Sequence, residues 1–60
     1  MKEEKAICII KSIFEEDFYN LSQWNRLFII TTVKKHNKKR KAKEWLRDFK
    51  NHMIELGEIK

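Results

Sequence analysis

Ten consecutive residues of this 60-residue chain, Lys34 to Lys43, hold seven of its fourteen cationic side chains and no carboxylate. A run of this kind has one evident chemical use, which is to neutralise anions on a partner. Each phosphate it meets releases condensed counterions, so the affinity is sensitive to salt and indifferent to base sequence. Arg40 and Arg47 add planar guanidinium forks suited to bidentate contacts. The plainer reading is a solvated helix end that keeps the protein dispersed. Density argues against it, because surfaces usually interleave charges of both signs and seven uncompensated cations repel one another. The expected anion-binding set is therefore Lys34, Lys35, Lys38, Lys39, Arg40, Lys41 and Lys43, with Arg47 and Lys50 extending the patch. The expected partner is nucleic acid or an acidic protein surface. Lys39-Arg40-Lys41 also fits the loose nuclear-localisation pattern, which is common at this length.

Other reactive groups are sparse. Glu15, Glu16 and Asp17 form an acidic triplet, but nothing nearby supplies an apolar pocket to raise a carboxyl pKa or a nucleophile to activate. Cys8 is the one cysteine and has no histidine close in sequence, so it reads as an inert thiol. Two histidines and one cysteine exclude a Cys/His structural zinc site. Ser12, Ser22, Thr31 and Thr32 lie in no nucleophile setting, and no glycine-rich phosphate loop exists. The chain is expected to be a binding protein, not an enzyme, and to need no cofactor or small-molecule substrate. A DNA-reading helix-turn-helix is unsupported: the only Gly is at position 57, and lysines suit phosphates better than base edges.

Three segments must position these groups. From about Lys2 to Phe18, the residues Ala6, Ile9, Ile10, Ile13 and Phe14 recur at helical spacing, widened by Ile7 and Phe18. Glu15, Glu16 and Asp17 oppose the helix dipole there, which predicts an end near residue 18. Asn20 with Gln23 predicts a capping box, and Tyr19 with Trp24 a hydrophobic staple. The second helix, from about Leu21, is apolar almost all round its axis (Leu21, Trp24, Leu27, Phe28, Ile29, Ile30, Val33). Such a helix is expected to be buried on more than one side, which makes Ile29, Ile30 and Val33 protein-interface candidates. A third helix over about Lys38–Leu56 aligns Ala42, Trp45, Leu46, Phe49, Met53 and Leu56, and Gly57 stands where a left-handed C-terminal cap belongs.

The basic run lies between the last two segments. A continuous helix through it would extend about 52 Å at roughly 1.5 Å per residue. It would also carry like charges at i,i+4, Lys34 over Lys38 and Lys35 over Lys39. A bend near His36-Asn37 avoids both. The expected fold is all-α, a small three-helix bundle forming a single domain over residues 1–60. The alternative is a helical hairpin with a long second helix, dimerised.

The charge asymmetry is local. Residues 1–20 carry three Lys and five acidic groups, a net of −2, whereas residues 21–60 carry eleven basic and four acidic groups, a net of +7. The longest strongly apolar run, Leu27–Val33, is seven residues, against roughly 20 for a membrane span. A lone thiol and no export signal predict a cytoplasmic setting. Eleven Lys against three Arg, with eight Ile, fit the codon bias of an A+T-rich genome such as a low-GC bacterium or its phages.

Two functions follow from these features. The first is a small regulatory or accessory protein that engages nucleic acid through the basic inter-helix segment. The second is a phage-like inhibitor or adaptor that docks on an acidic or apolar protein surface, with homodimerisation as a further use of the apolar surplus. A cationic helix with Trp also suits a membrane-active peptide, but nine acidic residues count against that role.

Overall fold

A computed structural model describes residues 1–59, and every regular element among them is helical. Helix α1 spans Glu3–Phe14, a 3₁₀ segment follows over Glu15–Asn20, α2 spans Gln23–Lys35 and α3 spans Lys39–Glu55. This is the expected three-helix bundle. The overall extents are 30 × 20 × 16 Å, too short for the hairpin with a long second helix.

α1 forms where its apolar spacing predicts and buries Ala6, Ile9, Ile10 and Phe14. It ends four residues earlier than the sequence suggested. Glu15 takes φ 53° and ψ −130°, and its N–H donates to the Lys11 carbonyl. Carboxylates at positions 15, 16 and 17 would lie on the negative end of a longer α-helix, so the chain tightens into 3₁₀ geometry instead. Phe18 still reaches the core from there, followed by Leu21.

The start of α2 also differs from expectation. Ser22, not Asn20, is the N-cap, and its hydroxyl accepts the Asn25 N–H at 3.3 Å. Asn20 closes the 3₁₀ segment. The Tyr19–Trp24 staple is not made, since both side chains point to solvent. The other end of α2 is well satisfied: the Met1 amino group donates to the Lys34 carbonyl at 2.7 Å. This contact brings the start of α1 to the elbow between α2 and α3, and sends its acidic end to the opposite pole.

His36, Asn37 and Lys38 make the bend, as expected. α3 then ends in a Schellman turn: Gly57 at φ 82° donates to the Ile54 carbonyl and Glu58 to that of Met53, each at 3.0 Å. The turn folds Ile59 back into the core. α3 contributes Ala42, Leu46 and Met53 to that core, and α2 contributes Ile29 and Val33. All buried side chains of the described residues are apolar.

α1 packs along both other helices, while α2 and α3 touch each other less. A bundle of three therefore covers only part of α2. Trp24 is 80 % exposed, Leu27 55 % and Phe28 53 %, so the expected burial of α2 on several sides does not occur within one chain. No helix of the described residues is long and apolar enough to cross a membrane.

Candidate anion-binding surface

The elbow gathers the basic run onto one pole of the molecule. Lys34 and Lys35 close α2, Lys38 is the N-cap of α3, and Lys39, Arg40 and Lys41 fill its first turn. Lys38 makes no side-chain capping bond, and no acidic residue lies in that turn. Four cations thus sit beside the positive end of a helix dipole. That arrangement is unfavourable in isolation.

Few counter-charges relieve it. Lys34 lies 4.0 Å from Glu3, and Arg40 3.9 Å from Glu44 one turn along; all four side chains are well exposed, so the pairs contribute little. Among the described residues, no carboxylate pairs with Lys35, Lys38, Lys39, Lys41, Lys43 or Arg47.

Lys50 behaves differently from the rest of its predicted set. Its Nζ donates to the Ile13 carbonyl at 2.9 Å, lies 4.0 Å from Asp17, and sits 5.9 Å from the centre of the Phe14 ring. It satisfies the end of α1 and is committed to the fold rather than offered to a partner.

The cations spread to both sides of α3. On the α1 side, Lys39 and Lys43 join Lys5, Cys8, Ile9 and Ser12 around a cleft of about 380 Å³. A second hollow, of about 430 Å³, continues along the same seam past Ser12, Ile13, Arg47, Lys50 and Asn51. Sequence reasoning did not include Lys5 in the basic set. Its helical register with Cys8 and Ser12 was visible, but not that this face meets α3. Lys11 is distant from the elbow; the neighbouring Tyr19 hydroxyl, chiefly by hydrogen bonding, raises its pKa above the ordinary lysine value.

On the α2 side, aromatic side chains fill the groove between α3 and α2. Trp45 stacks on Phe49 with centroids 5.0 Å apart and planes inclined at 24°. Phe28 reaches across from α2, 5.7 Å from Phe49 and 6.1 Å from Trp45, and the His36 ring at the elbow is 6.1 Å from Trp45. Trp24 stands one turn before Phe28, and Leu27 borders it.

The predicted interface residues face inward: Ile29 and Val33 are fully buried and Ile30 packs against the core. The exposed large apolar side chains of α2 are Trp24, Leu27 and Phe28 instead, with Tyr19, Ile54 and Leu56 exposed elsewhere. The signal was present in α2 itself: it has more apolar faces than two neighbouring helices can cover. Which face stays open depends on the crossing of α1 and α3, which periodicity does not give.

The acidic triplet lies at the pole away from the elbow. Asp17 lines a hollow of about 410 Å³ with Asn20, Glu58 and Ile59. Among the described residues, no group of three or more His, Cys, Asp or Glu side chains could hold a metal ion. No known protein family, curated protein or solved structure matches this chain.

Proposed function

We propose that this chain is a small, non-enzymatic regulatory or accessory protein that binds nucleic acid through the elbow between α2 and α3. One observation carries the reading: among the described residues, Lys35, Lys38, Lys39, Lys41 and Lys43 stand without a carboxylate partner around a helix start that no side chain caps, and Arg47, also unpaired, lies two turns further along α3. Their mutual repulsion and their opposition to the α3 dipole weaken the fold. A polyanion relieves both at once. In this reading the protein works in the cytoplasm.

The test is the salt dependence of binding to a fluorescein-labelled oligonucleotide, followed by anisotropy. Engagement of four to six phosphates gives a log–log slope of roughly −3 to −5, since each contributes about −0.7 to −0.9. An affinity unchanged between about 50 and 300 mM salt contradicts the proposal.

A second reading, that of an inhibitor or adaptor docking on a protein or on a second copy, is favoured by the open Trp24-Leu27-Phe28 surface. Clustered exposed aromatics resemble the energetic centre of many interfaces. Here Leu27→Asp abolishes the biological effect while Lys38→Ala with Lys39→Ala leaves it intact. The opposite pattern removes this reading.

A further inference from the structure

We infer that the aromatic groove between α2 and α3 is a stacking platform for single-stranded nucleic acid. The inference rests on the nucleic-acid reading of the elbow and names the form of nucleic acid it takes. Three observations support it.

The groove offers ring faces. Trp24 and Phe28 are more than half exposed, and Trp45 and Phe49, each covering one face of the other, line the floor partly exposed. Unpaired bases present flat π-faces that stack on such rings whatever their sequence. In a duplex those faces are already occupied by neighbouring base pairs.

The groove and the elbow are continuous. Lys35 lies two turns beyond Phe28 on the same face of α2, and Lys41 one turn before Trp45 on the same face of α3. The contact of His36 with Trp45 bridges the two regions. A strand whose bases lie on Trp24, Phe28 and Trp45 therefore meets Lys35, Lys38 and Lys41 with its phosphates. Aromatic platforms edged by cations are the general solution for holding single strands.

The charge also discriminates between occupants. A second copy packed groove against groove sets the same cations, Lys35, Lys38 and Lys41, against each other, and a purely apolar partner leaves those cations unpaired. A single strand supplies both the rings and the anions.

The chain's two tryptophans are Trp45, which packs against Phe28 and Phe49, and Trp24, one turn before Phe28 on the same face of α2, so intrinsic fluorescence reports on this side of the bundle. The experiment titrates the protein with a short unstructured single strand and with the matching duplex, reading tryptophan quenching and the anisotropy of a labelled strand. Single strand is expected to bind at least tenfold more tightly at equal salt and to quench the emission. Trp24→Ala and Phe28→Ala are each expected to weaken it roughly 5- to 100-fold, the effect of losing one stacked base. Because stacking releases no counterions, that loss is the same at low and high salt, and the salt slope is retained. Both side chains are exposed, and circular dichroism confirms that the variants stay helical.

Equal binding of duplex and single strand, unaffected by either substitution, overturns the platform but leaves the elbow as a nucleic-acid site. Binding of neither form overturns both. If sedimentation instead shows a dimer that Trp24→Ala converts to monomer, with single-strand affinity unchanged, the groove belongs to a second copy and the inference is wrong.

Discussion

Lys50 joins α3 to the end of α1 by donating to the carbonyl of Ile13 at 2.9 Å, thirty-seven residues away in the chain. The contact satisfies one of the last carbonyls of α1, which the abrupt stop at Phe14 leaves without a helical partner. Lys50→Ala is therefore expected to cost about 1–2 kcal/mol in urea unfolding. Its effect on the salt slope of nucleic-acid binding should be nil, in contrast to Lys41→Ala. A Lys50 variant that is fully stable but binds weakly would return this residue to the binding set.

Ile29 and Leu27 are two positions apart on α2 and lie on opposite sides of the bundle wall. Ile29→Asp places an unpaired charge among Ile10, Phe14, Val33 and Leu46, where burial costs more than a chain of this size can tolerate. It should leave the protein unfolded at room temperature by circular dichroism. Leu27→Asp should shift the melting temperature little, because its side chain already meets water. Equal damage from the two would mean that Leu27 is covered in solution.

Lys38 heads α3 without capping it. Lys38→Asp supplies an N-cap acceptor and a favourable charge at the dipole, together worth about 1–2 kcal/mol. It also removes a cation from the elbow and adds an anion. The expected result is a sturdier protein with weaker nucleic-acid affinity, measured as a higher urea midpoint and a higher dissociation constant on the same preparation. A variant that gains stability and keeps its affinity would take the elbow out of the mechanism.

Two described residues have positive φ, and they should respond oppositely to exchange. Glu15 has φ 53° and ψ −130°, a region that Gly enters freely and other residues enter at a cost of about 1–3 kcal/mol. Glu15→Gly should raise stability by about 1 kcal/mol after the extra entropy of an unfolded glycine is deducted. At Gly57 a Cβ meets nothing within 4 Å, so Gly57→Ala costs only the backbone penalty, about 1 kcal/mol. Thermal melts of both variants check the signs.

Much of this architecture could be read from residue spacing. The stripe through Ala42, Leu46 and Met53, the left-handed Gly57 and the bend at His36-Asn37 all depend on local rules that tertiary context does not alter. The end of α1 was misplaced because the same three carboxylates that oppose an α-helix are tolerated in a 3₁₀ segment, where Phe18 keeps its core position. Ser22 was passed over for Asn20 because both are good caps, and only the burial of Leu21 decides the register between them.

The candidate surface was legible in charge but not in shape. The density of Lys34–Lys43 could be counted directly, whereas the withdrawal of Lys50 depends on a carbonyl thirty-seven residues away. Ile29 and Val33 read as interface candidates and proved central, while Trp24 and Phe28, to which spacing assigned no face, proved exposed. Periodicity identifies an apolar helix; the neighbours decide which of its faces they leave bare.

The contact of the Met1 amine with the Lys34 carbonyl fixes how the charge lies along the molecule. It holds the start of α1 at the cationic elbow, while Glu15, Glu16 and Asp17 follow the far end of α1, with Glu58 beside Asp17. The chain is thus a small electric needle as well as a net cation. In the field of a polyanion it turns before it touches, arriving elbow foremost with its acidic tail trailing into solvent. Orientation is then settled during approach, and encounter rates at low ionic strength exceed those of an evenly charged body of equal net charge.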